Sequence, residues 1–209
     1  ENKKLLIATD NFPPRWDGIS RFLIEVIPKL KNYEITILAP NFGPIKKDLF
    51  SGINMVRFPL GNISFDYYTP ANPDRKKIKM LVENNDIVWV QTIGPIGSSA
   101  IKIAKKLKKK IVIYTHSVDW ELIAKAIKKS QFIVNFIVKS FARSIYNKCD
   151  LLMVPSKEIA DLFTDAGIKI KKRIVRLGVD LSVFKPSARN KAKKLVGFNE
   201  NDFIIGYYG

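Results

Sequence analysis

Seven short apolar or β-branched runs recur along the chain with amphipathic stretches between most of them, and this alternation constrains the fold more than any other feature. The runs are Leu5–Thr9, Glu34–Ala39, Ile53–Phe58, Ile87–Gln91, Ile111–Thr115, Leu151–Val154 and Arg173–Arg176. Each reads as a strand covered on both faces, because a strand covered on one face alternates apolar with polar residues. The stretches Ile19–Lys31, Asp74–Asn84, Pro95–Lys109, Glu121–Lys148 and Ser156–Ala166 read as amphipathic helices. Strand and helix in alternation predict an α/β fold with a doubly wound parallel sheet. The last helix is the best punctuated: Ser156 can cap its first amides, and Gly167 can take the left-handed conformation that ends it. The segment from Pro40 to Arg75 is rich in Gly, Pro, Asn and Ser around Ile53–Phe58 and reads as irregular.

A chain of 209 residues with 46% hydrophobic content can bury a substantial core. It holds no run of about 20 apolar residues, and from Glu1 onward there is neither a basic leader nor an apolar signal core, so a cytoplasmic protein is expected, soluble or peripheral to a membrane. The single cysteine, Cys149, has no disulfide partner and reads as a small core side chain. With 36 Lys and Arg against 19 Asp and Glu, the net charge of +17 can attract a polyanion or an anionic membrane. Much of that excess sits at helical positions such as Lys102, Lys105, Lys106, Lys108, Lys109 and Lys110, which a solvated helix face also explains. No motif that places bases accompanies it, and charge alone gives nucleic acid only nonspecific affinity.

Ligands of such sheets collect beyond the carboxyl ends of the strands. The loop after the first run, Asp10–Ser20, lacks the G-x-G-x-x-G of a dinucleotide site and offers only Gly18. Without a side chain, Gly18 lets a phosphate approach the amides that open the next helix, with Arg15 as a nearby cation; a simple turn glycine is the alternative. The loop after the fifth run, Thr115–Glu121, contains the only histidine. His116 there can donate a hydrogen bond or stabilise developing charge, while Asp119 and Glu121 can accept from hydroxyls. The two carboxylates lack the surroundings of a metal site, and no metal is expected.

The segment Cys149–Ser156, then Gly167, then Gly178-Val179-Asp180-Leu181-Ser182-Val183-Phe184-Lys185-Pro186 resembles the family 4 glycosyltransferases, in which a strand ending in Ser leads into a helix and G-V-D-x-x-x-F-x-P follows the first domain's last strand. The opening, with Pro13, Pro14 and Gly18, is similar. The resemblance implies a Rossmann-like domain, the N-terminal half of a two-domain GT-B architecture, with residues 1–186 forming the acceptor-side domain. Residues 187–209 would form the connection and the first strand, over Phe203–Gly209, of a donor-binding domain. It further implies that Gly18 approaches the donor diphosphate and that His116 adjoins the transferred sugar. Asp119, Trp120 and Glu121 depart from any fixed family pattern and are read as acceptor contacts. Gly178, Val179 and Asp180 are diagnostic rather than catalytic.

The implied activity is transfer of a sugar from a nucleoside diphosphate sugar to a hydroxyl acceptor, lipid-linked in one version, with no cofactor beyond the donor. The alternatives are a GT-B sugar-nucleotide epimerase and a noncatalytic basic module for membrane or nucleic acid. Over Glu121–Lys148, the residues Ile123, Ile127, Val134, Ile137, Phe141 and Ile145 share a helical stripe, and Lys125, Lys128 and Lys129 supply charge for an anionic membrane. The competing reading packs that helix into its own domain, because Phe132–Val138 is apolar on nearly every side.

Overall fold

A computed structural model describes residues 2–46, 49–64, 68–121 and 131–206. Its strands are β1 (Lys3–Ala8), β2 (Tyr33–Pro40), β3 (Asn54–Phe58), β4 (Ile87–Val90), β5 (Lys110–Tyr114), β6 (Leu151–Val154) and β7 (Lys171–Ile174). They form one sheet in the order β3-β2-β1-β4-β5-β6-β7, and every pairing is parallel. The helices are α1 (Gly18–Val26), α2 (Arg75–Glu83), α3 (Pro95–Lys106), α4 (Gln131–Tyr146), α5 (Lys157–Asp165) and α6 (Arg189–Leu195). This is the expected doubly wound, Rossmann-like α/β architecture.

The sheet carries a core on each face. On one, Ile78 and Val82 of α2, Ile96, Ala100 and Ile101 of α3, Ala142 and Ile145 of α4 and Phe163 of α5 cover Leu6, Ala8, Val88, Val90, Ile111 and Ile113. On the other, Leu23 of α1 and the loop residues Phe12 and Phe50 cover Leu5, Ile7, Ile35 and Ile37. Cys149 is in the first core, where burial pushes its thiol up to about 12.

Among the boundaries that differ from the expected ones, three have a local reason. The first helix ends at Val26 and continues as a 3-10 turn over Ile27–Lys29, because Pro28 has no N–H to extend the α-helical ladder. α3 stops at Lys106, and Lys108 then takes φ 54°. β7 begins at Lys171, two residues ahead of the apolar run, with Leu151 opposite Lys171 and Val154 opposite Ile174. It is the edge strand, where lysines keep the unpaired side from adding a further strand, so its charged start does not look like a buried run.

The contacts divide the chain into two compact units, Glu1–Arg176 and Leu177–Gly209, so the first closes ahead of Pro186. In the second, Asp180 Oδ1 accepts from the Ser182 amide at 2.9 Å and Oγ at 2.6 Å, pinning the start of the Gly178–Pro186 motif. The described part of the Phe203–Gly209 segment forms no strand.

Candidate active site

The strand order reverses between β1 and β4, whose carboxyl ends therefore diverge and open a crevice. Its floor is built by Asp10, a residue the sequence alone did not single out. The Asp10 carboxylate accepts from Thr92 Oγ1 at 2.7 Å and from the amides of Ile96 at 2.8 Å and Gly97 at 3.1 Å. It thus caps α3, whose own N-cap, Gly94, has no side chain to do so. Burial raises the Asp10 pKa against these hydrogen bonds, which pull it down. The fit is close: a Cβ on Gly94 would lie 2.5 Å from Asp10 Cγ, and one on Gly97 would lie 1.8 Å from the Thr92 carbonyl oxygen. The readable signal was Gly94-Pro95-Ile96-Gly97, a helix start with proline at its first position and no capping side chain of its own.

At the neighbouring α1, Asp17 is the cap. Its Oδ1 accepts from the Ser20 amide at 2.8 Å; its Oδ2 accepts from Asn11 Nδ2 at 2.9 Å and pairs with Arg15 Nε at 3.3 Å. Gly18 is the first helical residue, and a Cβ built on it meets nothing within 4 Å. The chain's own packing therefore does not require glycine there; the space in front of it is open. Arg15 is fixed by Asp17 and by two aromatic rings, its guanidinium carbon lying 5.6 Å from the centroids of both Phe42 and Tyr68. With Pro14, Phe42, Leu60 and Thr69 it lines a cavity of about 490 Å³.

His116 follows β5 and reaches the same crevice. Its Nε2 lies 2.9 Å from Oε1 of the buried Gln91, which follows β4. The ring packs edge-on to Phe22 of α1, with centroids 4.9 Å apart, and against Tyr114 at 4.7 Å. Burial lowers the imidazole pKa to about 4, outweighing the opposite pull of the Asp17 carboxylate. His116 is therefore neutral at physiological pH. Donation from Nε2 to Gln91 leaves Nδ1 as an acceptor.

The acceptor residues read from the sequence are placed differently. Trp120 is 4% exposed and packs on Phe163 of α5, with centroids 4.9 Å apart, so it is a core anchor and not a contact surface. The Asp119 carboxylate is turned inward, where Tyr146 of α4 donates to its Oδ2. Burial raises its pKa to about 6, with hydrogen bonds from Tyr146 and Ser117 acting the other way. Together with the Thr115 Oγ1 to Ser117 carbonyl bond of 2.7 Å, these two anchors make the loop under His116 a fixed platform. Of the three acceptor residues only Glu121 is exposed. Lys125, Lys128 and Lys129 lie outside the described residues. Among the described residues no three or more His, Cys, Asp or Glu side chains are grouped so as to hold a metal ion.

The Asp119 carboxyl holds its proton more tightly folded, at about 6, than at its ordinary 3.8. A raised pKa means that the associated stability is complete below about 4 and is lost as pH rises through 6. Asp119→Asn is expected to remove that part of the slope, on the order of 1.4 kcal/mol per pKa unit at most. Unfolding midpoints of both proteins between pH 4 and 7 check this; parallel curves would contradict the inward placement of the carboxyl.

Comparison with known proteins identifies the family. Residues 16–183 match the sequence model of Glycosyltransferase Family 4. An alpha-monoglucosyldiacylglycerol synthase of Streptococcus pneumoniae is 32% identical over 100 residues, 48% of this chain and 22% of that protein. A GDP-mannose-dependent alpha-(1-6)-phosphatidylinositol monomannoside mannosyltransferase of Mycolicibacterium smegmatis is 24% identical across 96% of this chain and 51% of its own length. The chain thus spans about half or less of the length of these relatives. Among solved structures, HepE of Anabaena in complex with UDP and glucose shares the fold, with a TM-score of 0.58 and 15% identity over 94% of this chain and 50% of that one. The family match takes in Gly18, His116 and the Gly178–Val183 part of the motif, the fold is the one shared with HepE, and the chain belongs to glycosyltransferase family 4.

Proposed function

We propose that this chain is the acceptor side of a cleft that transfers a hexosyl unit from a nucleoside diphosphate sugar to a hydroxyl of a membrane lipid. One observation carries the reading: the open space at Gly18, the fixed Arg15 and the neutral His116 all converge on the switch point, with Phe22 linking α1 to the histidine ring. The α1 amino terminus and Arg15 favour charge on a departing diphosphate. His116 contributes a neutral hydrogen-bonding edge to the sugar rather than a second cation. The donor itself is the only small molecule the chemistry requires. The lipid acceptor is supported by two relatives whose names place sugars on diacylglycerol and phosphatidylinositol derivatives. A GT-B epimerase would need both acid and base groups at the sugar, and the chain offers a single histidine there.

The described residues include no helix long and apolar enough to cross a membrane. Attachment at the cytoplasmic face would therefore be peripheral, and α4 is suited to it. Ala142, Ile145 and Tyr146 enter the core, whereas Ile133, Phe136, Ile137 and Phe141 are 57%, 70%, 60% and 40% exposed. The stripe expected from the sequence is thus divided, with Ile145 inside and Ile137 and Phe141 outside.

The test uses the intact protein with labelled UDP- and GDP-hexoses and a membrane lipid extract. A labelled product that partitions into organic solvent is expected. Label confined to water-soluble products would remove the lipid acceptor, and interconversion of the sugar nucleotide without an acceptor would replace transfer by epimerisation.

A further inference from the structure

Away from the crevice, α2, α3 and Lys148, which lies just past α4, line a cavity of about 330 Å³. Its lining is Arg75, Lys102, Ile103, Lys105, Lys106 and Lys148, five cations and one apolar side chain. Lys102, Lys105 and Lys106 lie at helical spacing on one face of α3, so their charges are held near one another by a rigid element. The described ion pairs all use other cations: Arg15, Lys79, Lys110, Lys157 and Lys194. Five like charges facing one cavity without a carboxylate among them repel one another, and an anion in the cavity relieves that repulsion.

The neighbouring surface identifies the anion. Lys102 Nζ lies 5.5 Å from the ring centroid of Phe141, and Phe141 belongs to the exposed α4 stripe with Ile133, Phe136 and Ile137. A free phosphate has no use for that apolar stripe, and a nucleic acid held on the cations would leave the aliphatic Ile133 and Ile137 uncovered. A lipid surface satisfies both halves at once, its phosphates on the cations and its acyl boundary on the stripe.

We infer that the cavity lined by Arg75, Lys102, Lys105, Lys106 and Lys148 is a binding site for the phosphate of an anionic phospholipid headgroup, seated while the outer stripe of α4 lies in the acyl boundary. The inference deepens the membrane part of the proposed function and rests on it, but its readout is binding and involves no sugar transfer, so the two fail separately. The site lies on residues other than Lys125, Lys128 and Lys129, and it requires local geometry rather than the net charge of +17.

The experiment is cosedimentation of the intact protein with phosphatidylcholine vesicles, with and without phosphatidylglycerol, at low and high salt. Three variants are compared after circular dichroism confirms folding: the pocket triple Lys102→Glu, Lys105→Glu, Lys106→Glu; a control triple of equal charge change, Lys3→Glu, Lys31→Glu, Lys169→Glu; and Phe136→Ser with Ile137→Ser. Phosphatidylglycerol-dependent partitioning is expected to fall about tenfold or more in the pocket triple and severalfold in the apolar pair, with little change in the control. Equal losses in both triples would reduce the site to diffuse charge and overturn the inference. So would competition by millimolar inorganic phosphate at constant ionic strength with the apolar pair unaffected, which identifies a free-phosphate site. Loss of duplex oligonucleotide binding in the pocket triple with vesicle binding retained would assign the cavity to nucleic acid instead.

Discussion

Gly18→Val is expected to abolish most sugar transfer by the intact protein while leaving its unfolding midpoint within a degree or two of the unchanged protein, roughly the shift that 0.5 kcal/mol produces. The two halves of that expectation come from one geometric fact. A Cβ at Gly18 meets no atom of the chain within 4 Å, so the folded protein has little reason to resist a side chain there. Valine would instead project into the open space where a diphosphate must approach the α1 amino terminus. The loss should be on the order of a hundredfold or more in kcat/KM, the scale of losing a preorganised contact to developing charge. Gly18→Ala should be intermediate. His116→Ala in the same assay should lower kcat with the fold kept. Because burial holds the imidazole pKa down to about 4, His116 stays neutral above about pH 5, and its ionisation should put no inflection near pH 6.5 into the rate profile. Unchanged kinetics in both variants would remove the crevice as the donor site; an inflection near 6.5 that disappears with His116→Ala would show that the ring titrates and is not buried as described.

How much of this could be read before the structure depends on how local each feature is. The seven strands were legible because parallel strands buried on both faces must be apolar runs; the lysines that open β1 and β7 fell outside the runs, and those of β7 belong to an edge. That Gly18 and His116 lie in loops at the switch point was legible because such loops directly follow strands. Asp10 was not, since its partners Thr92, Ile96 and Gly97 are more than 80 residues away and only the closed sheet brings them together. Trp120 was read as a contact residue because loops usually face solvent. Its partner Phe163 is on α5, and no spacing in the sequence links the two. The division of α4 was equally hidden: a helix apolar on nearly every side does not say which of its residues the core takes.

Gly97→Ala is expected to be among the most destabilising single substitutions in the chain, although it replaces one small residue by another with better helix propensity. In an exposed helix that exchange gains about 1 kcal/mol. Here the added Cβ would sit 1.8 Å from the carbonyl oxygen of Thr92 and 3.0 Å from Val90 Cγ1. The first of these is backbone and cannot swing aside, so α3 must move away from the end of β4. That movement pulls the amides of Ile96 and Gly97 from the Asp10 carboxylate, leaving a carboxylate that is buried and short of partners. Overpacking and the lost charge-assisted bonds act in the same direction and together are worth on the order of 3 kcal/mol or more. For a chain of 209 residues this lowers the unfolding midpoint by about 6–12 °C. Asp10→Asn separates the two contributions, because it adds no bulk against α3 but removes the charge and replaces one accepting oxygen with an NH2. It should cost about half as much as Gly97→Ala and should also relieve the penalty of a carboxylate whose pKa burial raises. Thermal unfolding of the three proteins at pH 7 decides the matter. A midpoint for Gly97→Ala within about 2 °C of the unchanged protein would mean that α3 does not approach Thr92 so closely. It would also mean that Asp10 does not join the two sides of the crevice as described.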